Sequence, residues 1–381
     1  MIVLATATSG IATTILPGGR TAHSRFDIPL QTSETTITNM SKQSGGAKLI
    51  RKAKLIIWDE APMARRQTIE TIDRSFRDIM DIDEPFGGKV MVFGGDFRQV
   101  LPVVPKATRA ETVNASLHTI KDDMILLPEQ LVIKPNGNIS GEDRLITKIF
   151  PSLNENGSCA KYMTERAILA SRNEYVDQLN EMLIDKFPGE SKIFHSFDSA
   201  EDDTNNYYQE EYLNTLTPNG LPPHRLILKK NAPIMLLRNL DPSNSLCNST
   251  RMVCRGFDNN AIHAEIMMGQ CTSKHVFIPR IQLSPPENEG YPFKFVRKQF
   301  PVRLCFAMTI NKAQGQTIPN VGLYLPQHVF SHGQLYVALS REISMSTTKV
   351  LIMTEQSKCR NGTYTKNIVY KEVLGYDIQS V

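Results

Sequence analysis

The chain reads as an α/β protein with parallel sheets, built as two domains with a small β-rich insertion in the second. Three observations predict this. Short apolar runs at 2–5, 55–58, 90–93, 167–170, 321–325 and 349–353 are separated by helical or polar stretches, the texture of parallel strands covered on both faces. Between residues 63 and 80 the apolar positions Ile69, Ile72, Phe76 and Ile79 fall at helical spacing. From 233 to 283 the texture changes to Pro, Gly and Asn among short β-like pieces such as 251–254 and 275–278. The boundary between the domains is placed near residue 150.

Bulk properties narrow the class. A length of 381 residues suits two domains with their own cores. A hydrophobic share of 41% and a charged share of 22% describe an ordinary soluble protein. The net charge of +4 is too small to predict a nucleic-acid partner by itself. Six cysteines without a CxxC pair give neither a zinc site nor a disulfide framework, and fit a reducing compartment. No apolar run approaches the roughly 18 residues of a membrane span. Thr6, Thr8, Ser9, Thr13 and Thr14 interrupt the apolar N-terminus, so no signal peptide is expected. Residues 193–224 hold no Lys or Arg and collect Asp198, Glu201, Asp202, Asp203, Glu210 and Glu211. They read as a solvated surface excursion.

Two strand ends carry the chemistry. The run Leu55-Ile56-Ile57-Trp58 delivers Asp59 and Glu60 to the end of a buried strand. Placed so in a nucleotide-hydrolysing α/β domain, the first carboxylate holds a magnesium ion and the second orients and deprotonates the attacking water. The run Val90-Met91-Val92-Phe93 ends in Gly94-Gly95-Asp96 and points Gln99 toward the same edge. Each signal has a plain alternative, a solvated strand end for the first and a turn cap for the second.

Many segments in one order resemble a family. Ala7-Thr8-Ser9-Gly10 with Leu16-Pro17-Gly18-Gly19-Arg20-Thr21-Ala22-His23-Ser24, the two strand ends, Leu236-Leu237-Arg238-Asn239-Leu240 with Leu246-Cys247-Asn248, the stretch 309–317, the run 330–341 and the tail 365–370 together look like PIF-type superfamily 1 DNA helicases. The branch related to Helitron transposons is the nearest in character. The resemblance implies two P-loop NTPase (RecA-like) helicase domains, 1–150 and 151–381, with the insertion at about 233–300 and ATP in the cleft between the domains. It implies Mg²⁺ at Asp59, catalysis by Glu60, Gln99 as sensor of the γ-phosphate, and Arg341 as an arginine finger. Gln314 and Gly315 would lie near the nucleotide. His23, Ser24 and Arg25 from the first domain, with Thr309, Asn311 and Lys312 from the second, would contact DNA. The implied partners are single-stranded DNA and duplex junctions, handled by a monomer moving 5′ to 3′ in recombination or repair, in the nucleus or alternatively the mitochondrion.

The departures from the pattern are as informative. Relatives carry a loop G-x-x-x-x-G-K-[ST] that cradles phosphates. These 381 residues hold none, since Gly87-Gly88-Lys89 is followed by Val90 and has Asp83 where the first Gly should be. The first domain is therefore expected to lack the strand that carries the loop, and truncation or a mis-assigned start is the natural explanation. Feeble hydrolysis or none is expected of these residues alone. An ATPase-dead remnant that binds single strands, and a poorly folding relic, are the alternatives. Ser245 and Ser249 stand where the family pattern tends to glycine, so a positive φ at either would strain the turn.

Overall fold

The computed structural model describes residues 2–29, 32–101, 124–134, 139–201, 203, 207–241, 244–269, 271–285, 290–341, 344–354, 358–359 and 362–370. Two compact units emerge. The first joins residues 1–126 with 328–340 and the described part of the segment from Tyr364, and the second holds 127–327 and 341–363. The boundary expected near residue 150 thus falls inside the second unit. The helix Gly141–Ile149 explains why, since its Leu145, Ile146 and Ile149 are buried in the core of the second unit, with Ile168 and Tyr324.

The first unit is built on a parallel sheet of four strands in the order β2-β1-β3-β4, with β1 Ile2–Ala7, β2 Arg20–Thr21, β3 Ala53–Asp59 and β4 Val90–Phe93. Helix α1 spans Gly10–Ile15, α2 Ala22–Phe26, α3 Gly45–Lys52 and α4 Arg66–Met80. The last ends at Met80 as the apolar spacing predicts, starts at Arg66, three residues later than expected, and buries Ile72, Phe76 and Ile79. It ends because Asp81 turns left-handed and closes the cap on Arg77. Phe76 meets Phe26 edge-on at 5.2 Å, and Leu4, Ile50, Ile56 and Trp58 complete this core. One expectation fails here. β4 is an edge strand with Val90 59% and Val92 48% exposed, so this strand is not covered on both faces. The Gly87-Gly88-Lys89 triplet is a turn between α4 and β4. A Cβ on Gly87 would lie 2.5 Å from the Phe76 carbonyl, and Lys89 donates to the carbonyls of Arg51 and Ala53.

The second unit holds another four-stranded parallel sheet, ordered Ala307–Thr309, Arg166–Ala170, Asn320–Leu325, Thr348–Ile352. The helix Asn173–Lys186 packs on it through Val176, Leu179 and Leu183. The β-rich part is larger than the 233–300 expected. It begins with the strand Ser191–His195, and its five-stranded sheet ends with Val302–Leu304. The acidic stretch is likewise not a simple solvated excursion. It contributes the strand Phe197–Ala200 and the helix Glu210–Thr215, and Asp198 lies buried in a paired arrangement with Arg297. That pair is bidentate, at 2.9 Å from Nε to Oδ1 and 2.6 Å from Nη2 to Oδ2. Arg297 also donates to the carbonyls of Pro222 and Leu216. Among the described residues no helix is long and apolar enough to cross a membrane.

Candidate nucleotide and nucleic-acid sites

In the first unit the pairing of β1 with β3 continues past the strand ends, with the Thr8 amide donating to the Asp59 carbonyl and the Trp58 indole to the Thr8 hydroxyl. Asp59 is thereby fixed at the carboxyl end of β3, and its Oδ1 accepts the Glu60 amide at 2.9 Å. Glu60 itself adopts φ 53°, ψ 35°, a left-handed backbone that costs a non-glycine residue about 1–2 kcal/mol. The loop after β4 docks on this corner. Gly94 donates to the Trp58 carbonyl and accepts from Ala61, both at 2.9 Å. A Cβ on Gly94 would stand 3.2 Å from Asp59 Oδ1, and one on Gly95 only 2.2 Å from Pro62, so the second glycine is sterically required. The two strand ends are therefore joined as the sequence predicts. Gln99 closes the loop with its amide on the Asp96 carbonyl. Its Oε1 is buried and has no hydrogen-bond partner among the described residues, an unsatisfied acceptor suited to a ligand.

A return segment braces this loop from within the same unit. The Tyr336 hydroxyl donates to Asp96 Oδ2 at 2.9 Å, and the Arg98 guanidinium lies 4.9 Å over the Tyr336 ring. These bonds and the Arg98 salt bridge hold the Asp96 carboxyl below its ordinary range against the opposing effect of burial, which is the largest single influence. His332 is 1% exposed and sits between two main-chain groups, Nε2 at 2.8 Å from the Phe97 carbonyl and Nδ1 at 2.8 Å from the Tyr370 amide. The amide donates, so Nδ1 must be unprotonated and Nε2 carries the proton. Gly333, at φ +72°, lies flush against Arg98 and Gln99, where a Cβ would come within 2.4 Å of the Arg98 carbonyl. Sequence reasoning missed this brace, because nothing local marks a histidine whose partner is 235 positions away.

The three residues proposed for DNA contact on α2 are brought together but differ in exposure. Ser24 is exposed, while His23 is half-buried and its burial lowers its pKa below the ordinary histidine value. Arg25 donates Nη2 to the carbonyls of Ala5 and Gly18, so much of its role is to tie β1 to the turn before β2. Arg20, exposed at the start of β2, is a cation on the same stretch that the motif reading passed over.

In the second unit the segment 309–317 follows the edge strand of the parallel sheet as a 3-10 turn, Ile310–Ala313. Lys312 donates to Asn248 Oδ1 at 2.7 Å, and burial, followed by the charges of Arg303 and Arg238, pushes its ammonium down to about 8. Three cations thus gather where the sequence predicts phosphate contact. The Gln316 side chain donates to the Lys312 carbonyl. Gly315 takes φ +71°, and Gln314 is buried. Arg341 Nη1 reaches the Gln316 carbonyl at 3.4 Å, and the Arg341 carbonyl accepts from Ile318. Thr309, Asn311, Lys312, Gln314, Gly315 and Arg341 therefore form one neighbourhood. Its link to Asn248 was not foreseen. Ser245 and Ser249 both take positive φ, 60° and 73°, as the departures from glycine suggested.

Two family profiles match this chain in order. The profile of the PIF1-like helicase covers residues 1–122, and that of the DNA helicase Pif1 2B domain covers residues 211–257. Over these two stretches the chain is similar to the PIF1-like helicase family. Similar proteins include the ATP-dependent DNA helicase PIF1 of Xenopus laevis, 25% identical across 91% of this chain and 54% of that protein. The ATP-dependent DNA helicase RRM3 of Saccharomyces cerevisiae is also 25% identical, across 91% of this chain and 58% of its own length. The chain thus spans about half the length of these curated relatives. Among solved structures, Bacteroides Pif1 bound to single-stranded DNA matches at a TM-score of 0.59 and 22% identity, over 96% of this chain and 90% of that one. Pif1 helicase from Candida albicans matches at 0.58 and 20%, over 98% and 88%. These likenesses establish the PIF1-like helicase fold, two α/β units with parallel sheets.

Proposed function

We propose that this chain is the motor region of an ATP-dependent DNA helicase that moves along single-stranded DNA, 5′ to 3′, and separates duplex at junctions. The observation that carries the reading is the corner where Asp59, Glu60 and the 94–99 loop are locked together, with an unsatisfied buried acceptor on Gln99. The donor set fits a magnesium nucleotide, since carboxylate oxygens suit a hard divalent cation. Asp59 would hold Mg²⁺, which when bound neutralises charge on the β- and γ-phosphates. Glu60 would orient the water and accept its proton at the carboxylate, helped by a backbone that fixes its direction. Gln99 would register the γ-phosphate by way of the attacking water, whose O–H its Oε1 can accept, and the brace from Tyr336 and His332 keeps its loop from relaxing. Arg341 is proposed to stabilise transition-state charge, with Gln314 and Gly315 near the nucleotide. Lys312, Thr309 and Asn311, with His23, Ser24 and the remaining donors of Arg25, would hold backbone phosphates. Action as a monomer in nuclear recombination or repair, with the mitochondrion as the alternative compartment, rests on the family resemblance.

These residues hold no G-x-x-x-x-G-K-[ST] loop, so alone they are proposed to bind single strands with little or no hydrolysis. The deciding assay measures oligonucleotide binding and DNA-stimulated ATP turnover side by side. Turnover that Glu60→Gln abolishes supports a working motor. Salt-dependent binding without nucleotide dependence supports a binding remnant instead. A chain that binds no oligonucleotide and melts without cooperativity would refute both readings.

A further inference from the structure

Arg238 is a cation to which the fold supplies no counter-charge and the motor reading gives no task. It stands two residues past the strand Pro233–Leu236, which pairs on one side with Arg251–Phe257 and on the other with Val302–Leu304. Four other arginines of the second unit are taken up by the protein itself. Arg297 is paired with Asp198, Arg303 with Asp177 at 2.8 Å and Arg255 with Glu265 at 2.8 Å, while Arg251 caps the carbonyls of Met163, Thr164 and Arg166. Arg238 makes two long bonds, Nη1 at 3.5 Å from the adjoining Leu237 carbonyl and Nη2 at 3.3 Å from the Ser284 carbonyl. A guanidinium has five N–H donors, and its charge-assisted bonds close to about 2.7–2.9 Å. Arg238 is half-buried, and no carboxylate among the described residues pairs with it.

Lys312 is in the same condition on a different element. Its ammonium donates to Asn248 Oδ1, a neutral acceptor, and the Asn248 amide donates to Asn239 Oδ1 at 2.8 Å. Asn239 follows Arg238 in the chain, so Asn248 links the two cations. They are close enough that Arg238, after burial and Arg303, helps to push the Lys312 ammonium down. Two half-buried cations that repel each other and meet only neutral groups are a cost to the fold. An anion held between them removes that cost.

We propose that Arg238 and Lys312 clamp one phosphate group between them, which makes Arg238 a further nucleic-acid-binding residue of the second unit. The inference rests on the single-strand-binding reading above. It adds a ligand from the β-rich part to a track otherwise carried by the turn after the parallel sheet. The planar guanidinium fits two phosphate oxygens at once, and the ammonium supplies a point charge on the third side. The phosphate belongs to the strand, since the Lys312 turn also carries Thr309 and Asn311, the other residues proposed to hold it. A nucleotide phosphate offers the same chemistry, and the test separates the two sources.

The test uses the full chain and a fluorescein-labelled oligothymidine read by anisotropy. Arg238→Met should weaken binding about 10- to 150-fold, the range for one lost bond to a charged group. The slope of log affinity against log salt should become shallower by about 0.7, the share of one phosphate on a single strand. Removing the neighbouring charge also lets Lys312 keep its proton to higher pH, so affinity should fall less between about pH 7 and about pH 9 than in wild type. Arg238→Lys keeps the charge and should keep the wild-type salt slope at about pH 7. Unchanged affinity in Arg238→Met, or a loss of affinity at the wild-type salt slope, would show that Arg238 only ties its own turn. Either result overturns the clamp and leaves the strand-binding reading intact. ATP that displaces the oligonucleotide from wild type but not from Arg238→Met would assign the clamp to nucleotide phosphates and overturn it equally. A wild-type chain that binds no oligonucleotide overturns both the clamp and the reading it rests on.

Discussion

Replacing His332 with Phe keeps a ring of similar size against Tyr370, which stacks on the imidazole at 5.0 Å, but removes both ring nitrogens. The Tyr370 amide would then be buried without an acceptor, a loss of about 1–3 kcal/mol, and the partly exposed Phe97 carbonyl would lose a bond of about 1 kcal/mol. Together these predict that the first unit is destabilised by roughly 2–4 kcal/mol at neutral pH. The same geometry sets a pH signature. Burial lowers the His332 pKa, and only partial compensation comes from the bond to the Phe97 carbonyl. The folded state therefore binds fewer protons than the unfolded chain, whose histidine titrates at about 6.5. The stabilisation is complete above that pH and is lost as pH falls toward the folded value, at up to about 1.4 kcal/mol per pH unit. His23 and His328 are also lowered, so the informative quantity is the difference between wild type and variant. Urea unfolding followed through Trp58 between about pH 8 and pH 5.5 measures it. Equal stability at pH 8, or a variant that keeps the full wild-type pH slope, would refute the brace.

Other expectations follow from the second unit. Ser245→Gly and Ser249→Gly should each stabilise by about 1 kcal/mol, because both positions take positive φ, raising the midpoint by about 2–4 °C in thermal scans read by circular dichroism; a lower midpoint would show that the serine side chains matter more than the backbone. Arg297→Met should cost about 3–5 kcal/mol by leaving Asp198 charged and buried, and Asp198→Leu in the same chain should recover part of it. Equal stability of the single and double variants would refute that coupling. Oligonucleotide affinity should fall as pH rises from about 7 to about 9, because the Lys312 ammonium, pushed down to about 8, becomes neutral. Lys312→Met should show a flat profile over that range in a fluorescence titration.

Much of this was legible in the sequence, and the failures share a cause. The strands around Asp59, Ile168 and Leu323 announce themselves because each is apolar along its length and separated from the next by polar chain. α4 does so because its apolar positions share one face. The joining of Asp59 to the 94–99 loop was legible because glycines mark a close approach. The exposure of β4 was not, since an apolar strand looks alike at the centre and at the edge of a sheet. Asp198 was misread as solvated because its partner lies 99 positions away. His332, Tyr336 and Asn248 were missed as parts of sites for the same reason. The early boundary of the second unit was hidden because the helix Gly141–Ile149 signals its packing only through strands that follow it in the chain.

The left-handed backbone of Glu60 has a consequence for how this position responds to substitution. Its side chain stands on a conformation that glycine adopts freely, so Glu60→Gly removes about 1–2 kcal/mol of strain at the moment it removes the carboxylate. With Glu60 in the proposed role of proton acceptor, stability and catalysis select in opposite directions at one residue. A lineage released from selection for turnover would drift here toward glycine or asparagine and gain thermal tolerance. This chain carries the glutamate.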